Sequence, residues 1–235
     1  MGTAEALWCV VPAAGQGLRF GAEVPKQYVE LAGRPLLAWT LARLAGAPAI
    51  GGLMVVLARD DRWWPNLALP AGVPVLSVTG ASERSGSVLA GLRALPPEVA
   101  PDAFVLVHDA ARPCVPLADI ARLVARGTPA GGAILAAPLR DTLKRAAGDG
   151  RIAATEPRES RWRALTPQLF RRGELTLALE QAERDGANIT DEAMAMERAG
   201  HRPLLVEGAD SNLKVTTPTD LALAAHWLAA SGAIT

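Results

Sequence analysis

The stretch PAAGQGLRFGAEVPKQY, residues 12–28, follows a short apolar run and decides the fold. Gly15 and Gly17 allow the backbone to approach a ligand closely, and the N–H groups exposed there form a nest for an anion. Arg19 and Lys26 add two positive charges to the same stretch. A glycine loop after a buried strand, together with two cations, predicts an α/β protein that binds a nucleoside triphosphate.

Two better-known nucleotide loops fit this stretch less well, and a simple tight turn is the plain alternative. A dinucleotide site needs a third glycine that opens a helix at once and an acidic residue about 20 positions further on. Pro25 interrupts any immediate helix, and Asp60 and Asp61 lie more than 40 residues after Gly17. The Gly-Lys-Ser/Thr pattern of a P-loop is also missing. An NAD-dependent oxidoreductase is therefore the less favoured enzyme class.

Apolar runs alternate with amphipathic stretches along most of the chain, which predicts strands alternating with helices. The runs are continuous rather than alternating in polarity, as expected for strands buried on both faces of a parallel sheet. We expect one α/β domain over residues 1–235, with a mostly parallel Rossmann-like sheet and helices on both faces. The predicted strands are Leu7–Val11, Leu53–Leu57, Val73–Val78, Phe104–Val107, Ala133–Ala137, Pro203–Val206 and Leu213–Val215. The predicted helices are Pro35–Leu44, Ser85–Leu95, Leu117–Arg126, Gly173–Asp185, Asp191–Ala199 and a last one from Pro218 to Ala230.

The segment between Pro138 and Leu165 breaks this rhythm. It is polar, and GDG at residues 148–150 is a turn signal between two runs that permit β structure. We expect a protruding β-hairpin arm over about residues 139–165. A solvated surface hairpin without a function is the alternative for such a segment.

The composition excludes several classes of protein. Half of the 235 residues are apolar, enough for a sizeable core, and 24 Lys and Arg balance 24 Asp and Glu. The zero net charge argues against a nucleic-acid partner bound through a broad basic surface. Cys9 and Cys114 are too few for a disulfide framework, and the start lacks a signal peptide's basic segment, so we expect a cytoplasmic protein. Pro65, Pro70 and Pro74 interrupt the longest uncharged stretch, and no membrane helix is expected.

Eight motifs follow one another over roughly residues 8–225. They are PAAGQGLRFG, PKQY, ASERSGSVLAGL, VHDAARP, DTLKR, ALTPQLF, NITDEA and NLKVTTPTDL. In this order and spacing they resemble the 2-C-methyl-D-erythritol 4-phosphate cytidylyltransferase family. The resemblance implies a magnesium-dependent nucleotidyltransferase of isoprenoid synthesis, which joins CTP to methylerythritol phosphate and releases pyrophosphate. It also implies a homodimer in which each arm reaches the partner subunit's active site.

The resemblance places the nucleotide at the first loop and at the segments after later strands. It implies that Arg19 and Lys26 stabilise charge on the α-phosphoryl group during attack by the substrate phosphate, which needs no strong base. Taken alone, Ser87 at a helix start and Lys214 on a surface would need no ligand. The residues implied to bind the nucleotide are Ala13, Ala14, Gly15, Gly17, Lys26, Gly80, Ala81, Ser87, Asp109 and Lys214.

The second substrate and the metal are placed in the same way. Arg158 is implied to be catalytic, because an arginine fork binds phosphate with two hydrogen bonds, and Arg161 and Arg163 are its rivals. Asp109 and Asp210 are implied to hold Mg²⁺, although a lone Asp after a strand is otherwise a helix cap or loop acceptor. The residues implied to bind the methylerythritol phosphate are Ala110, Arg112, Thr142, Arg158, Thr166 and Thr190.

Two other functions stay open from the sequence. A cytidylyltransferase for another polyol phosphate, such as ribitol 5-phosphate, shares the glycine loop and the DAARP-like segment, so the arm and the DTLKR and TPQ segments discriminate. A non-catalytic nucleotide-binding module would carry the same loop. Trp63 and Trp64 lie in a stretch to which the resemblance gives no role.

Overall fold

The computed structural model describes residues 6–15 and 24–233, in which strands and helices alternate. The strands are β1 (Leu7–Pro12), β2 (Glu30–Leu31), β3 (Arg34–Pro35), β4 (Ile50–Leu57), β5 (Val75–Thr79), β6 (Phe104–Val107), β7 (Ala133–Pro138), β8 (Leu143–Ala146), β9 (Ile152–Glu156), β10 (Trp162–Arg171) and β11 (Leu204–Glu207). The helices are α1 (Leu36–Ala45), α2 (Arg84–Arg93), α3 (Leu117–Ala130), α4 (Arg172–Arg184), α5 (Glu192–Arg198) and α6 (Pro218–Ala230). Short 3₁₀ turns lie at Lys26–Tyr28 and Trp64–Asn66.

Seven of these strands form one sheet in the order β11-β7-β10-β6-β1-β4-β5. Neighbouring strands are parallel except at β10, which runs antiparallel to both β6 and β7. The carboxyl ends of the six parallel strands therefore meet at one edge, where ligands of such sheets bind. The predicted mostly parallel α/β sheet is confirmed.

Burial on both faces explains why the strands are continuously apolar. In β1, Cys9 and Val11 pack into the core layer under α1 and α3, whereas Val10 packs into the layer under α2, α4 and α5. In β4, Val55 and Val56 divide between the same two layers. Because successive side chains point to opposite faces, each position of the strand must be apolar. No helix in the described part of the chain is long and apolar enough to cross a membrane.

The sequence analysis did not predict β10, and the residues of this strand explain why. Pro167 lies in the middle of the strand, and a proline cannot donate to a sheet ladder, so the segment does not look like a central strand. The register shifts between Ala164 and Gln168, and this irregularity accommodates the proline, whose peptide bond with Thr166 is cis. The predicted strand at Leu213–Val215 was wrong, because that segment donates one backbone hydrogen bond, to Ala111, and joins no sheet.

The predicted hairpin is present but shorter than the predicted range of residues 139–165. Strands β8 and β9 pair with each other in a separate two-stranded sheet, with Leu143 opposite Glu156. The last part of the predicted range, from Trp162 onward, belongs to β10 and to the central sheet. The arm is therefore a short two-stranded projection between β7 and β10.

Candidate active site

A cleft of about 470 Å³ opens at the carboxyl edge of the sheet. Most of its wall comes from three segments: the end of β1 and the loop after it (residues 12–15), the segment between β5 and the first turn of α2 (residues 81–84), and the loop after β6 (residues 109–111). Lys214 and Thr216, before α6, complete the wall on the side of the C-terminal segment. The fold thus brings together segments that are up to 200 residues apart in sequence, as expected at this edge of a parallel sheet.

The described part of the glycine loop is anchored to the sheet. The Ala13 N–H donates to the Val56 carbonyl over 2.7 Å, and the Gln27 side-chain amide donates to the Ala13 carbonyl over 2.6 Å. Ala13, Ala14, Gly15 and Lys26 line the cleft, and the phosphate contacts that the family resemblance implies for them stay predictions. The predicted residues Gly17 and Arg19 lie outside the described residues.

The segment at Gly80 and Ala81 is held against the first turns of α2. A Cβ atom at Gly80 would lie 2.7 Å from Ser87 Oγ and 2.8 Å from Val56 Cγ1, so only glycine allows this approach. Ser87 Oγ accepts from the Ala81 N–H and donates to the Ala81 carbonyl, each over 3.1 Å. Ala81 and Ser87 line the cleft, and a ligand would meet the remaining lone pair of this hydroxyl rather than its proton.

Asp109 is the electrostatic centre of the cleft wall. Its Oδ1 lies 3.0 Å from Arg84 Nη2, and its Oδ2 lies 3.0 Å from Lys214 Nζ and 3.3 Å from Arg112 Nε. Burial alone would raise the pKa of this carboxyl, but Arg84, Lys214 and Arg112 outweigh burial and hold the pKa well below its usual range. Asp109 is therefore a permanent negative charge that organises three cations.

Sequence reasoning missed Arg84 and Glu192. Glu192, at the start of α5, is almost fully buried, and its Oε1 lies 2.6 Å from Arg84 Nη1. Burial lowers the pKa of Arg84, but the charges of Glu192 and Asp109 raise it by more, so the guanidinium stays charged between two carboxylates. Both residues occur in the ASERSG and NITDEA motifs, but no local pattern signals an ion pair between residues so distant in sequence.

A hydrogen-bonded chain behind Asp109 fixes its backbone. His108 Nε2 lies 3.0 Å from the Arg112 carbonyl, which can only accept, so Nε2 carries the ring proton and Nδ1 accepts from the Thr166 hydroxyl over 3.0 Å. Thr166 Oγ1 in turn accepts from the Asp109 N–H over 3.0 Å, and Asn212 donates to the Thr166 carbonyl over 2.7 Å. Complete burial lowers the pKa of His108 to about 4, consistent with a neutral ring. Thr166, a predicted substrate residue, thus lies directly behind Asp109.

The remaining predicted residues divide between the wall and the periphery. Ala110 lines the cleft, and its carbonyl accepts from the buried Thr40 hydroxyl over 2.8 Å. Arg112 adjoins the cleft and donates to the Asn212 carbonyl over 2.7 Å. Thr190 is exposed before α5, with its hydroxyl 3.5 Å from Met194 Sδ, and it does not line the cleft.

The arm residues and Asp210 also lie away from the cleft lining. Thr142 is exposed, and Arg158 donates to the carbonyl of Arg140. Asp210 is paired with Arg140 and Arg163 at the base of the arm. Within residues 6–15 and 24–233, no group of three or more His, Cys, Asp or Glu side chains forms a metal cluster. A metal at Asp109 would thus take most of its ligands from phosphates and water.

Comparisons with known proteins agree with this geometry. The profile of a family described as 2-C-methyl-D-erythritol 4-phosphate cytidylyltransferase matches residues 7–230. A protein of that name from Xanthomonas campestris pv. campestris (strain 8004) is 60% identical over 218 residues, covering 92% of this chain and 82% of that protein. One from Xanthomonas oryzae pv. oryzae (strain PXO99A) is 57% identical over 231 residues, covering 97% of this chain and 85% of that protein.

Solved structures show the same similarity in three dimensions. The crystal structure of 2-C-methyl-D-erythritol 4-phosphate cytidylyltransferase from Francisella tularensis has a TM-score of 0.82 at 32% identity, covering 95% of this chain and all of that chain. The crystal structure of a 4-diphosphocytidyl-2C-methyl-D-erythritol synthase has a TM-score of 0.81 at 36% identity, covering 95% of this chain and 99% of that chain. The similarity therefore extends over the sheet, the cleft and the arm.

Proposed function

The chain belongs to the 2-C-methyl-D-erythritol 4-phosphate cytidylyltransferase family, and we propose that the cleft at Asp109 is where it transfers the cytidylyl group of CTP. The protein is a nucleotidyltransferase of isoprenoid biosynthesis. The site proposal rests on one observation, the convergence of the glycine loop, the α2 segment and the C-terminal segment on one buried carboxylate. A ribitol 5-phosphate enzyme and a non-catalytic module are not favoured, because the family match runs through the discriminating arm and TPQ segments.

The reaction makes one phosphorus–oxygen bond and breaks another. A phosphate oxygen of 2-C-methyl-D-erythritol 4-phosphate attacks the α-phosphorus of CTP, the bond from that phosphorus to the β-bridging oxygen breaks, and pyrophosphate leaves with the electron pair. The attacking oxygen is already ionised at neutral pH, so no general base is needed. The protein's contribution is to align the two phosphates and to stabilise the charge that develops between them.

The cations on the cleft wall are suited to this task but few in number. Among the described residues, Lys26, Arg84 and Lys214 line the cleft together with two carboxylates, Glu83 and Asp109, and these five side chains carry one net positive charge. Lys26 stands beside the glycine loop, where we propose that it stabilises the α-phosphoryl group in the transition state. The small surplus of positive charge supports two further contributors, Arg19 of the same loop and a divalent cation.

Asp109 fits a magnesium ion, since Mg²⁺ is commonly held by one or two carboxylates together with substrate phosphates. Its carboxylate is ionised and lies in the cleft wall, and Lys214, the most exposed of its three cationic partners, is the one best able to release Oδ2. When bound, the ion would neutralise charge on the phosphates. Asp210 is paired with Arg140 and Arg163 and does not line the cleft, so its role as a second ligand stays a prediction.

We further propose a cytoplasmic homodimer whose arm completes the partner's site. Thr142 and Arg158 do not line their own cleft, and the arm and its base expose apolar surface at Ile152, 67% exposed, and Trp162, 37% exposed. A paired surface that covers these side chains and brings the arginine to a phosphate would use both features. The free buried thiols of Cys9 and Cys114 support a reducing compartment.

Pyrophosphate release tests the proposal directly. We expect release with CTP and 2-C-methyl-D-erythritol 4-phosphate, and little with ribitol 5-phosphate, glycerol phosphate or with ATP in place of CTP. A chelator should abolish the reaction and added Mg²⁺ should restore it. Equal rates with ribitol 5-phosphate would contradict the assigned substrate, and full activity in the chelator would contradict the metal.

A further inference from the structure

The turn that carries Lys26 is held at both of the residues that follow it. Gln27 and Tyr28 are buried, and the Gln27 amide bonds the Ala13 carbonyl at the base of the glycine loop. The Tyr28 hydroxyl donates to Asp61 Oδ2 over 2.8 Å. The backbone of the turn is closed by hydrogen bonds from the Tyr28 N–H to the Pro25 carbonyl, 2.8 Å, and from the Val29 N–H to the Lys26 carbonyl, 3.2 Å.

Asp61 connects this turn to the tryptophan pair that the family resemblance leaves without a role. Its Oδ1 accepts from the backbone N–H groups of Trp63, 3.1 Å, and Trp64, 3.0 Å, while its Oδ2 holds Tyr28. The ring of Trp63 stacks on the ring of Tyr28 with 5.7 Å between centroids and 21° between planes. The Asp61 carboxylate therefore holds the hydroxyl of Tyr28, and the Trp63 indole packs against its ring.

We propose that Asp61 and Trp63 are positioning residues for cytidylyl transfer, acting through Tyr28 to fix the turn from which Lys26 reaches the phosphates. The inference rests on the role proposed for Lys26. A lysine ammonium sits on a flexible four-carbon stem, so the position of its backbone sets the region that the ammonium can reach. Neither Asp61 nor Trp63 lines the cleft, and neither is placed to touch a substrate.

Tyr28 makes one directional contact, the hydrogen bond to Asp61, in addition to the apolar contacts of its ring. Burial and the hydrogen bond to Asp61 raise the pKa of Tyr28, so the hydroxyl remains a donor at all physiological pH values. A buried ring alone would allow the turn to shift along the core surface, whereas a donor aimed at one carboxylate oxygen sets a single position. Because a displacement of about 1 Å can cost a large factor in rate, loss of this contact should be felt at the α-phosphorus.

Three single variants test the inference, with kcat and the KM for CTP measured for each. Asp61→Ala should lower kcat on the order of 10-fold, and Tyr28→Phe, which keeps the ring stack, should lower it by a smaller factor, with the KM for CTP changing less than about 3-fold. Asp61→Asn keeps an acceptor for the tryptophan N–H groups and offers an amide to the Tyr28 oxygen, so it should restore most of the lost kcat. Arg62→Ala is the matched control, because Arg62 lies over the Trp63 ring, whereas the Tyr28 hydroxyl bonds Asp61 and the Tyr28 ring stacks on Trp63, and its kcat should stay within about 2-fold of wild type.

A double variant separates positioning from a general structural role. In a Lys26→Ala background, Asp61→Ala should cause no further loss of kcat, because the group that it positions is gone. If Lys26→Ala is slow and Asp61→Ala still lowers its kcat by the same factor as in wild type, the inference about Asp61 is wrong while the role of Lys26 stands. Normal kcat in both Asp61→Ala and Tyr28→Phe would have the same meaning. Normal turnover in Lys26→Ala itself would overturn the proposed role of Lys26 and the inference together.

Discussion

The cleft wall and the arm hold their polar residues in opposite ways. Around Asp109, the partners come from distant parts of the chain, with Arg84 on α2, Thr166 on β10 and Lys214 before α6. On the arm, the side-chain bonds between β8 and β9 join neighbours across one hairpin, as in the exposed contact of Lys144 with Thr155, and at its base Arg140 pairs with the more distant Asp210. The wall is therefore preorganised by contacts within its own chain, an arrangement that costs no reorganisation during a reaction, whereas on the proposal made above the arm would meet its ligand in the partner's cleft.

This difference predicts which subunit's activity a substitution should affect. A substitution in the wall removes a group that many others already orient, so its effect should appear in every subunit independently. A substitution on the arm should leave its own subunit's fold and wall intact and appear only where two subunits meet. The following predictions test that division.

The largest effect is expected for the wall residue Lys26. Lys26→Ala should lower kcat on the order of 10²–10³-fold, equivalent to roughly 3–4 kcal/mol of transition-state stabilisation, because it removes a cation beside the transferring phosphoryl group. Nucleotide affinity, measured by calorimetry with CTP, should weaken far less. Normal turnover in this variant would remove the wall's main cation from the chemistry.

Mixed dimers test whether the arm acts across the interface. Lys26→Ala and Arg158→Ala homodimers should both be nearly inactive, but random mixing during co-expression should return about a quarter of wild-type activity, because half of the dimers then hold one intact site of two. Differently tagged subunits allow the mixed dimer to be purified and assayed. Purified heterodimers without activity would show that Arg158 serves its own subunit, and the contrast between the wall and the arm would lose its functional meaning.

The stability of the wall should depend on pH through His108. Its pKa is lowered to about 4 in the folded protein, against 6.5 for an ordinary histidine, so the unfolded chain binds more protons between these values. The free energy of unfolding should therefore fall by up to about 3 kcal/mol as the pH drops from 6.5 to 4. Asp109, whose pKa is also lowered, keeps its contribution over this window and loses it only as the pH falls below the ordinary carboxyl range.

Urea unfolding at a series of pH values measures this dependence. Replacement of the exposed His201 and His226 by glutamine is the control and should leave the slope unchanged. His108→Gln should flatten the slope between pH 6.5 and 4. An equally steep slope in a folded His108→Gln protein would show that other groups carry it.

The smallest effect is expected on the arm. Arg145 pairs with Glu156 across β8 and β9 at 3.0 Å, but its side chain is 61% exposed, so Arg145→Ala should change the free energy of unfolding by no more than about 0.5 kcal/mol. Urea unfolding of the Arg145→Ala protein beside wild type checks this value. A loss of several kcal/mol would mean that the arm is as firmly integrated in its own subunit as the wall is.

The sequence predicts the elements whose signal is local. β1, β6 and β7 were placed within a residue of their ends, because strands buried on both faces are continuously apolar. β10 escaped prediction because Pro167 interrupts it, and a proline is accommodated in this strand only where the register shifts. Val215 looks like part of a strand, but it is apolar because it packs under α6.

The residues of the candidate site also divide into those that the sequence predicts and those that it does not. The family resemblance implied Ala13, Asp109 and Ala110 as ligand-binding residues, and all three line the cleft near the carboxyl ends of β1 and β6, two strands that sequence patterns reveal. Arg84 and Glu192 were missed, because the ion pair that joins them depends on how α2 and α5 pack side by side, which no local spacing records. Gly17 and Arg19 stay predictions, since they lie outside the described residues.

β10 connects the arm to the cleft wall of the same subunit. It begins at Trp162, at the root of the arm, and passes through Thr166, whose hydroxyl holds the backbone of Asp109, before it ends at Arg171. The strand that continues from the arm is therefore also the strand that holds the floor of the same subunit's cleft. In a dimer of the proposed kind, each subunit would thus anchor the arm that it extends to its neighbour on a strand of its own site.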